Sequence, residues 1–243
     1  MGIFSRLFHK PEEKQPVAYA VVLAAGASTR MEGVDKIFAP ILGIPALART
    51  LAAFQSSAVI DEILVVTRSD QIAQVGELCK TYALDKVRLV VRGGDSRLAS
   101  ALIGVGEVRR DAELIAIHDG ARPLVSLKVI EDAVMRAAEC GAAVPAVPVS
   151  DTVKIGVDGY IWETPRRDTL FSAQTPQVFQ AELIKAALTR CRESGVEVTD
   201  DASAVEQLGM RVALTAGDRQ NIKLTTQEDL LLAEAILARE TVY

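Results

Sequence analysis

The chain is poor in the residues on which many enzymes and stapled domains depend. Its 243 residues include two histidines, His9 and His118, and three scattered cysteines, Cys79, Cys140 and Cys191. With no Cys/His pairing, these argue against a structural zinc site. An odd cysteine set, each member inside a predicted helix, reads as reduced core thiols rather than disulfides. No Ser/His/Asp or Cys/His arrangement suggests nucleophilic catalysis. No apolar run reaches the ~18 residues needed to span a bilayer. The net charge is −5 and no basic stripe runs along the chain, which argues against nucleic acid as the main partner. Gly-x-Gly-x-x-Gly is missing, so a dehydrogenase is disfavoured, and no Gly-Lys-Ser/Thr marks a Walker A loop.

What is present is apolar material: 49% of the residues, enough for one large core. A single domain is expected over 17–239. Residues 1–16 read as a flexible leader, a short mixed segment followed by the polar linker Pro11–Pro16. It is too short and interrupted for a secretory signal. A cytoplasmic protein with no membrane partner is the expectation.

From Val17 onward, apolar strands alternate with amphipathic helices. Strands are predicted at Tyr19–Leu23, Ile60–Thr67, Val87–Val91, Leu114–His118, Ala142–Val147 and Met210–Thr215, and Gln177-Val-Phe179 follows the arm without an assignment. Helices are predicted at Ala46–Gln55, Gln71–Ala83, Ser96–Arg109, Leu127–Cys140, Ala181–Glu193, near Asp200–Leu208 and at Gln227–Arg239. The last is capped by Thr226, with Asp229 three residues on. This order predicts an α/β protein with a mostly parallel sheet covered by helices on both faces. Ligands of such sheets bind outside the carboxyl ends of the strands, where Gly26, Gly93-Gly94-Asp95 and Asp119-Gly120 all fall.

The first of these loops is the most informative. Ala24, Ala25, Gly26, Ala27 and Ser28 have almost no side chain, so a ligand can approach their backbone closely. Arg30 and Lys36 follow with positive charge where a polyphosphate would lie. A strand, a bare loop and two cations suit a nucleoside triphosphate; the plainer reading is a strand-to-loop turn with surface charges.

One segment breaks the alternation. Residues 151–165 read as a projecting β-hairpin arm turning at Asp158-Gly159, a pair suited to a type I′ turn. Its apolar residues are too few for a core of their own. An arm packing on a second copy in a homodimer is predicted.

Taken in order, these segments resemble the 2-C-methyl-D-erythritol 4-phosphate cytidylyltransferase family. The resemblance rests on Leu23-Ala-Ala-Gly26, Arg30-Met31 and Lys36, then Gly93-Gly-Asp-Ser-Arg97 with Ser100, and His118-Asp-Gly-Ala-Arg-Pro123. It continues through Asp151-Thr-Val-Lys154, Arg167, Thr175-Pro-Gln177, Thr199-Asp-Asp-Ala-Ser203 and Asn221-Ile-Lys-Leu-Thr225. It implies a Rossmann-like nucleotidyltransferase fold, CTP and a polyol phosphate as substrates, and Mg²⁺ carried mainly on the CTP phosphates.

It also implies roles. Arg30, Lys36 and Lys223 would be catalytic cations at the phosphates. Ala24, Ala25, Gly26, Ser28, Gly94, Asp95, Ser100, Asp119 and Gly120 would hold the nucleotide. Asp119, Thr175 and Thr199 would face the acceptor, and Thr152 and Arg167 would reach a neighbouring subunit's site. Arg122 would support its loop.

Plainer readings stand beside several of these. Asp95 can cap the helix after it, Asp119 can satisfy turn amides, Thr152 can be a β-former and Thr199 a helix-start residue, and Arg167 can pair with Asp168 or Glu163. His118 reads as a packed strand residue. Departures from the family pattern are Ser28, where a second glycine is common, Asp35, where proline is common, and Ile37. The charge of Asp35 is expected to weaken triphosphate binding slightly.

The chemistry fits the residues. A phosphate monoester is largely dianionic at pH 7, its second pKa being about 6. It attacks without a general base, so placement and charge neutralisation suffice. Open alternatives are a ribitol-5-phosphate cytidylyltransferase, a sugar-1-phosphate nucleotidyltransferase and a non-catalytic nucleotide-binding regulatory domain.

Overall fold

The computed structural model describes residues 15–26 and 35–240. In chain order its elements are β1 (Ala18–Ala24), β2 (Pro40–Ile41), β3 (Ile44–Pro45), α1 (Ala46–Ser56), β4 (Glu62–Thr67), α2 (Ile72–Thr81), β5 (Val87–Arg92) and α3 (Arg97–Gly106). They continue with β6 (Leu114–Asp119), α4 (Leu127–Cys140), β7 (Ala142–Pro148), β8 (Ile155–Val157), β9 (Tyr160–Glu163) and β10 (Phe171–Ala173). The last are β11 (Gln177–Gln180), α5 (Ala181–Ser194), α6 (Asp201–Glu206), β12 (Ala213–Ala216) and α7 (Gln227–Glu240).

Eight strands form the main sheet in the order β10-β7-β11-β6-β1-β4-β5, with β12 on β7. β5, β4, β1 and β6 pair in parallel. β11 lies between β6 and β7 and runs against both, as β10 runs against β7. The sheet is therefore mostly parallel, with two reversed strands at one end.

β1 shows why its sequence is apolar at every position. Ala18, Ala20, Val22 and Ala24 enter a core with α1, α2 and α4, including Leu51, Phe54 and Ile130. Tyr19 and Val21 enter a second core with α3, α5 and α6, including Val105, Ile184 and Val205. A strand buried on both faces must be apolar on both, which is the continuous pattern seen. Gly104 lets α3 lie directly on this strand: a Cβ there would come within 2.4 Å of Val21 Cγ1.

Local chemistry sets the helix starts. Ser96 accepts a hydrogen bond from Ala99 N–H and Ser126 from Val129 N–H, and Asp200 accepts from Ser203 N–H. The reading of Asp95 as a cap is corrected: Ser96, with extended backbone, takes that position. Before α7, the Asp229 carboxylate accepts from Thr226 N–H at 2.8 Å, closing the helix start from inside.

Other expectations shift. Residues 69–71 form a separate 3₁₀ turn ahead of α2. β12 starts three residues later than Met210, where pairing with Ala143 begins. Cys191 is a core thiol, but Cys140 is exposed at the end of α4, its Sγ 3.0 Å from Arg136 O.

The hairpin β8–β9 forms as read, a two-stranded sheet apart from the main one. Asp158 and Gly159 take φ of 51° and 82°, the left-handed pair of a type I′ turn. Tyr160, Ile161 and Trp162 are 80%, 65% and 76% exposed.

Candidate functional site

Three loops meet at the carboxyl ends of β1, β5 and β6. Gly93 N–H donates to Thr67 O, at the end of β4, at 2.7 Å, and Gly120 N–H to Leu23 O of β1 at 2.8 Å, anchoring the second and third loops to the neighbouring strand ends. Between them lies a cavity of about 340 Å³. Ala24, Ala25 and Gly26 line one side and Gly94, Asp95, Ser96 and Ser100 another. Lys36, Arg97, Asp119 and Lys223 also line it.

The small residues of this cavity are required by close approach. A Cβ on Gly94 would lie 2.5 Å from Ala99 Cβ, so only glycine allows the loop to turn into α3 here. Gly94 N–H donates to Ser100 Oγ at 3.2 Å, so this hydroxyl shapes the loop from behind. Asp95 stands exposed at the rim. Gly26 lies beneath the Lys36 ammonium: a Cβ built on Gly26 would be 4.0 Å from Lys36 Nζ. Ser28 and Arg30 lie outside the described residues.

Asp119, at the end of β6, is the electrostatic centre. Lys223 Nζ lies 2.8 Å from its Oδ2, Arg122 Nε 3.6 Å from the same oxygen, and Arg97 Nε 3.8 Å from Oδ1. Burial opposes ionisation of this carboxyl, but the cations, led by Lys223 and Arg97, hold its pKa down at about 2. Arg97 also grips Asp201 with two hydrogen bonds of 2.9 and 2.6 Å. Burial pushes the Asp201 carboxyl up despite that arginine.

A buried polar network fixes Asp119 from behind. Thr175 Oγ1 accepts from Asp119 N–H at 3.1 Å and lies 2.9 Å from His118 Nδ1. Its single proton goes to Nδ1, leaving the His118 Nε2 proton directed at Arg122 O, 3.3 Å away. His118 is fully buried, its ring centroid 4.9 Å from that of Phe54, and desolvation lowers its pKa to about 4. The imidazole is neutral at pH 7 and works as a strut, as a packed strand residue should.

Asn221 ties the Lys223 segment to the same network. Its Nδ2 donates to Thr175 O at 3.0 Å, and its carbonyl accepts from Arg122 Nη1 at 2.7 Å. Leu224 N–H then donates to Ala121 O at 2.8 Å. Arg122 thus braces its loop.

The residues read as acceptor contacts are dispersed. Thr175 is buried behind Asp119, and its hydroxyl is committed as described. Thr199 is exposed ahead of α6, 3.3 Å from Ser203 Oγ. Thr152 and Arg167 are exposed at the base of the arm, and neither lines the cavity. Arg167 Nη1 donates to Ser150 O, while Arg166 is the partner of Asp168.

Sequence reasoning assigned no role to Arg97, Asp201 or Gln177. Gln177 donates to Asp200 Oδ2 at 2.8 Å and accepts from Ala202 N–H at 2.9 Å, clamping the start of α6. All three stand inside the motifs quoted above. Their signal was a charge or amide amid small residues, but their pairing spans 23 to 104 positions.

Comparison with known proteins fits this geometry. Residues 18–239 match the family model described as IspD: 2-C-methyl-D-erythritol 4-phosphate cytidylyltransferase. The protein of that name from Dehalococcoides mccartyi strain CBDB1 is 44% identical over 221 residues, covering 90% of this chain and 96% of the relative. The one from Clostridium novyi strain NT is 43% identical over 221 residues, 90% of this chain and 95% of the relative. Among solved structures, the 4-diphosphocytidyl-2C-methyl-D-erythritol synthase of Anaerococcus prevotii superposes with a TM-score of 0.83 at 31% identity, covering 92% of this chain and 97% of the other. The 2-C-methyl-D-erythritol 4-phosphate cytidylyltransferase of Thermus thermophilus gives 0.74 at 32%, covering 90% and 98%. The chain belongs to the 2-C-methyl-D-erythritol 4-phosphate cytidylyltransferase family, IspD.

Proposed function

We propose that the protein transfers the cytidylyl group of CTP to 2-C-methyl-D-erythritol 4-phosphate, forming 4-diphosphocytidyl-2-C-methyl-D-erythritol and pyrophosphate in non-mevalonate isoprenoid biosynthesis. One observation carries this beyond family membership. The bare Ala24–Gly26 floor, the Gly94–Ser96 wall and the Lys36 and Lys223 ammonium groups line one cavity.

An oxygen of the acceptor's phosphate dianion attacks the α-phosphorus of CTP. The new P–O bond forms as the bond to the β-phosphate oxygen breaks, and pyrophosphate leaves with that electron pair. No proton has to be removed from the nucleophile. Catalysis is therefore placement and stabilisation of charge, in which each well-placed donor contributes on the order of 10²–10³ in rate. Ala24, Ala25 and Gly26 present backbone to the nucleotide, as do Gly94 and Gly120. Ser100 and Asp95 shape the wall for the base. Lys36, with Arg30 ahead of it in the sequence, stabilises the triphosphate and its developing charge. Lys223 meets the phosphates, and Asp119 the ribose and the acceptor.

Mg²⁺ is the expected cofactor. Among the described residues, no group of three or more His, Cys, Asp or Glu could hold a metal ion, and the Asp119 carboxylate already faces three cations. The phosphate oxygens of CTP would therefore be the ion's main ligands; bound there, it neutralises charge on the leaving pyrophosphate.

The arm serves a homodimer in this proposal. Thr152 and Arg167, exposed at its base, serve the neighbouring subunit's acceptor phosphate, and Thr175 and Thr199 support the acceptor side. Residues 17–239 act as one catalytic domain. Pyrophosphate release with CTP and Mg²⁺, comparing methylerythritol phosphate with ribitol 5-phosphate, tests the reaction. Release with the former alone is expected; release with ribitol phosphate alone moves the protein to a different acceptor.

A further inference from the structure

Asp35 precedes Lys36, and its negative charge is opposed and held from outside the nucleotide loop. Arg68 Nη2 lies 3.0 Å from Asp35 Oδ2, and Gln71 Nε2 donates to that same oxygen. The other carboxylate oxygen accepts from Ile37 N–H at 3.3 Å. The Asp35 carbonyl accepts from Phe38 and Ala39 N–H at 3.0 and 2.9 Å, so the turn carrying Lys36 is closed on this one residue.

Gln71 connects the turn to the floor of the cavity. It is buried, and its Oε1 accepts from Thr67 Oγ1 at 3.1 Å. Thr67 ends β4 and pairs in register with Ala24, the first residue of the bare floor. A continuous polar chain thus runs from Ala24 through Thr67, Gln71 and Asp35 to the turn of Lys36, whose ammonium returns over Gly26. Arg68 sits on the outer side of that chain.

We infer that Arg68 and Gln71, from the β4–α2 loop, are positioning residues for Lys36: they orient its turn through Asp35 and cancel the negative charge beside the triphosphate. On this inference Asp35 does not weaken triphosphate binding, contrary to the expectation from sequence. With Arg68 in place, the carboxylate is a tether. With Arg68 removed, the guanidinium no longer opposes that anion, which stands next to the lysine and to the phosphates that the lysine meets.

The inference rests on the proposed role of Lys36, and the test separates the two. Lys36→Ala is assayed first with CTP, Mg²⁺ and methylerythritol phosphate; full activity in that variant would remove the proposed site itself. Steady-state kinetics are then compared for Arg68→Ala, Arg68→Lys, Asp35→Asn and the double variant Asp35→Asn/Arg68→Ala. Arg68→Ala is expected to raise KM for CTP about five- to tenfold, within the coupling typical of directly paired residues. KM for the acceptor and the thermal midpoint should stay unchanged, and Arg68→Lys should recover most of the loss. In the Asp35→Asn background, removing Arg68 should cost less than about twofold, because the charge that links it to the Lys36 turn is gone and its remaining partner, Asp70, 3.3 Å away, is exposed and outside that link. Equal costs of Arg68→Ala in both backgrounds overturn the inference, as does a fall in thermal stability with KM for CTP unchanged.

Discussion

Lys223 and Asp119 stand ammonium to carboxylate at 2.8 Å across 104 positions of sequence, in the wall of the cavity proposed for the nucleotide. The pair is not isolated. Asp119 also faces Arg97 and Arg122, and Arg97 is shared with Asp201, so three cations meet two carboxylates. That surplus suits a site that gathers a triphosphate and a phosphate monoester into contact.

Replacing Lys223 with methionine keeps the bulk and removes the charge. The rate of pyrophosphate release is expected to fall on the order of 10²–10³, as for loss of one well-placed charge stabiliser. Single-turnover measurements should place the loss in the chemical step, with CTP binding weakened less. Turnover within a factor of about two of the unaltered protein would show that Lys223 serves only to hold Asp119.

Arg97→Ala should be costly to the fold. It leaves the Asp201 carboxylate, 1% exposed, without its bidentate partner. Breaking a buried pair from one side costs about 3–5 kcal/mol. Asp201→Asn in the same background should recover part of that loss, since the orphaned charge is then gone. Urea unfolding of the two variants measures the difference.

His118 predicts an acid-side loss of stability. Burial depresses its folded pKa from 6.5 to about 4, so below pH 6.5 the unfolded chain takes up a proton that the folded protein refuses. Its contribution is fully present above pH 6.5, is lost as pH falls, and levels off near pH 4. The full span is about 3 kcal/mol. Thermal midpoints should decline through this window. In His118→Gln the midpoint should be lower throughout, and this component of the slope absent.

The arm makes a prediction about assembly. Ile161 and Trp162 are 65% and 76% exposed on β9, an unusual amount of large apolar surface on a two-stranded hairpin. Substituting Ile161→Ser with Trp162→Ala should shift a dimer toward monomer in sedimentation velocity at micromolar concentration. The far-ultraviolet circular dichroism of each chain should stay unchanged, because neither side chain is part of the chain's own core. A monomeric unaltered protein would remove the shared-site role proposed for Thr152 and Arg167.

Features that depend on neighbours in the chain were legible from the sequence. Apolar runs at β1, β4 and β6 announced strands buried on both faces, since a single polar residue there would lose its water. Asp158-Gly159 announced its turn because few residues accept two successive left-handed conformations. The small residues after β1 announced a bare cavity floor for a similar local reason. Family motifs added the residue types of the site.

How those residues are used was settled by the fold. The reversal of β10 and β11 was not legible, because strands of three and four residues carry no mark of their direction. Thr175 could have faced the cavity; the fold turns it behind Asp119, to His118 Nδ1. Asp35 reads in sequence as an unopposed charge, and only the fold sets Arg68 opposite it. Arg97 and Asp201, 104 positions apart, could each have paired with other charges. Apolar burial needs only pattern, and a pattern is local. Ion pairs and hydrogen bonds need particular partners within about 3 Å, and that proximity exists only once the sheet has brought distant segments together.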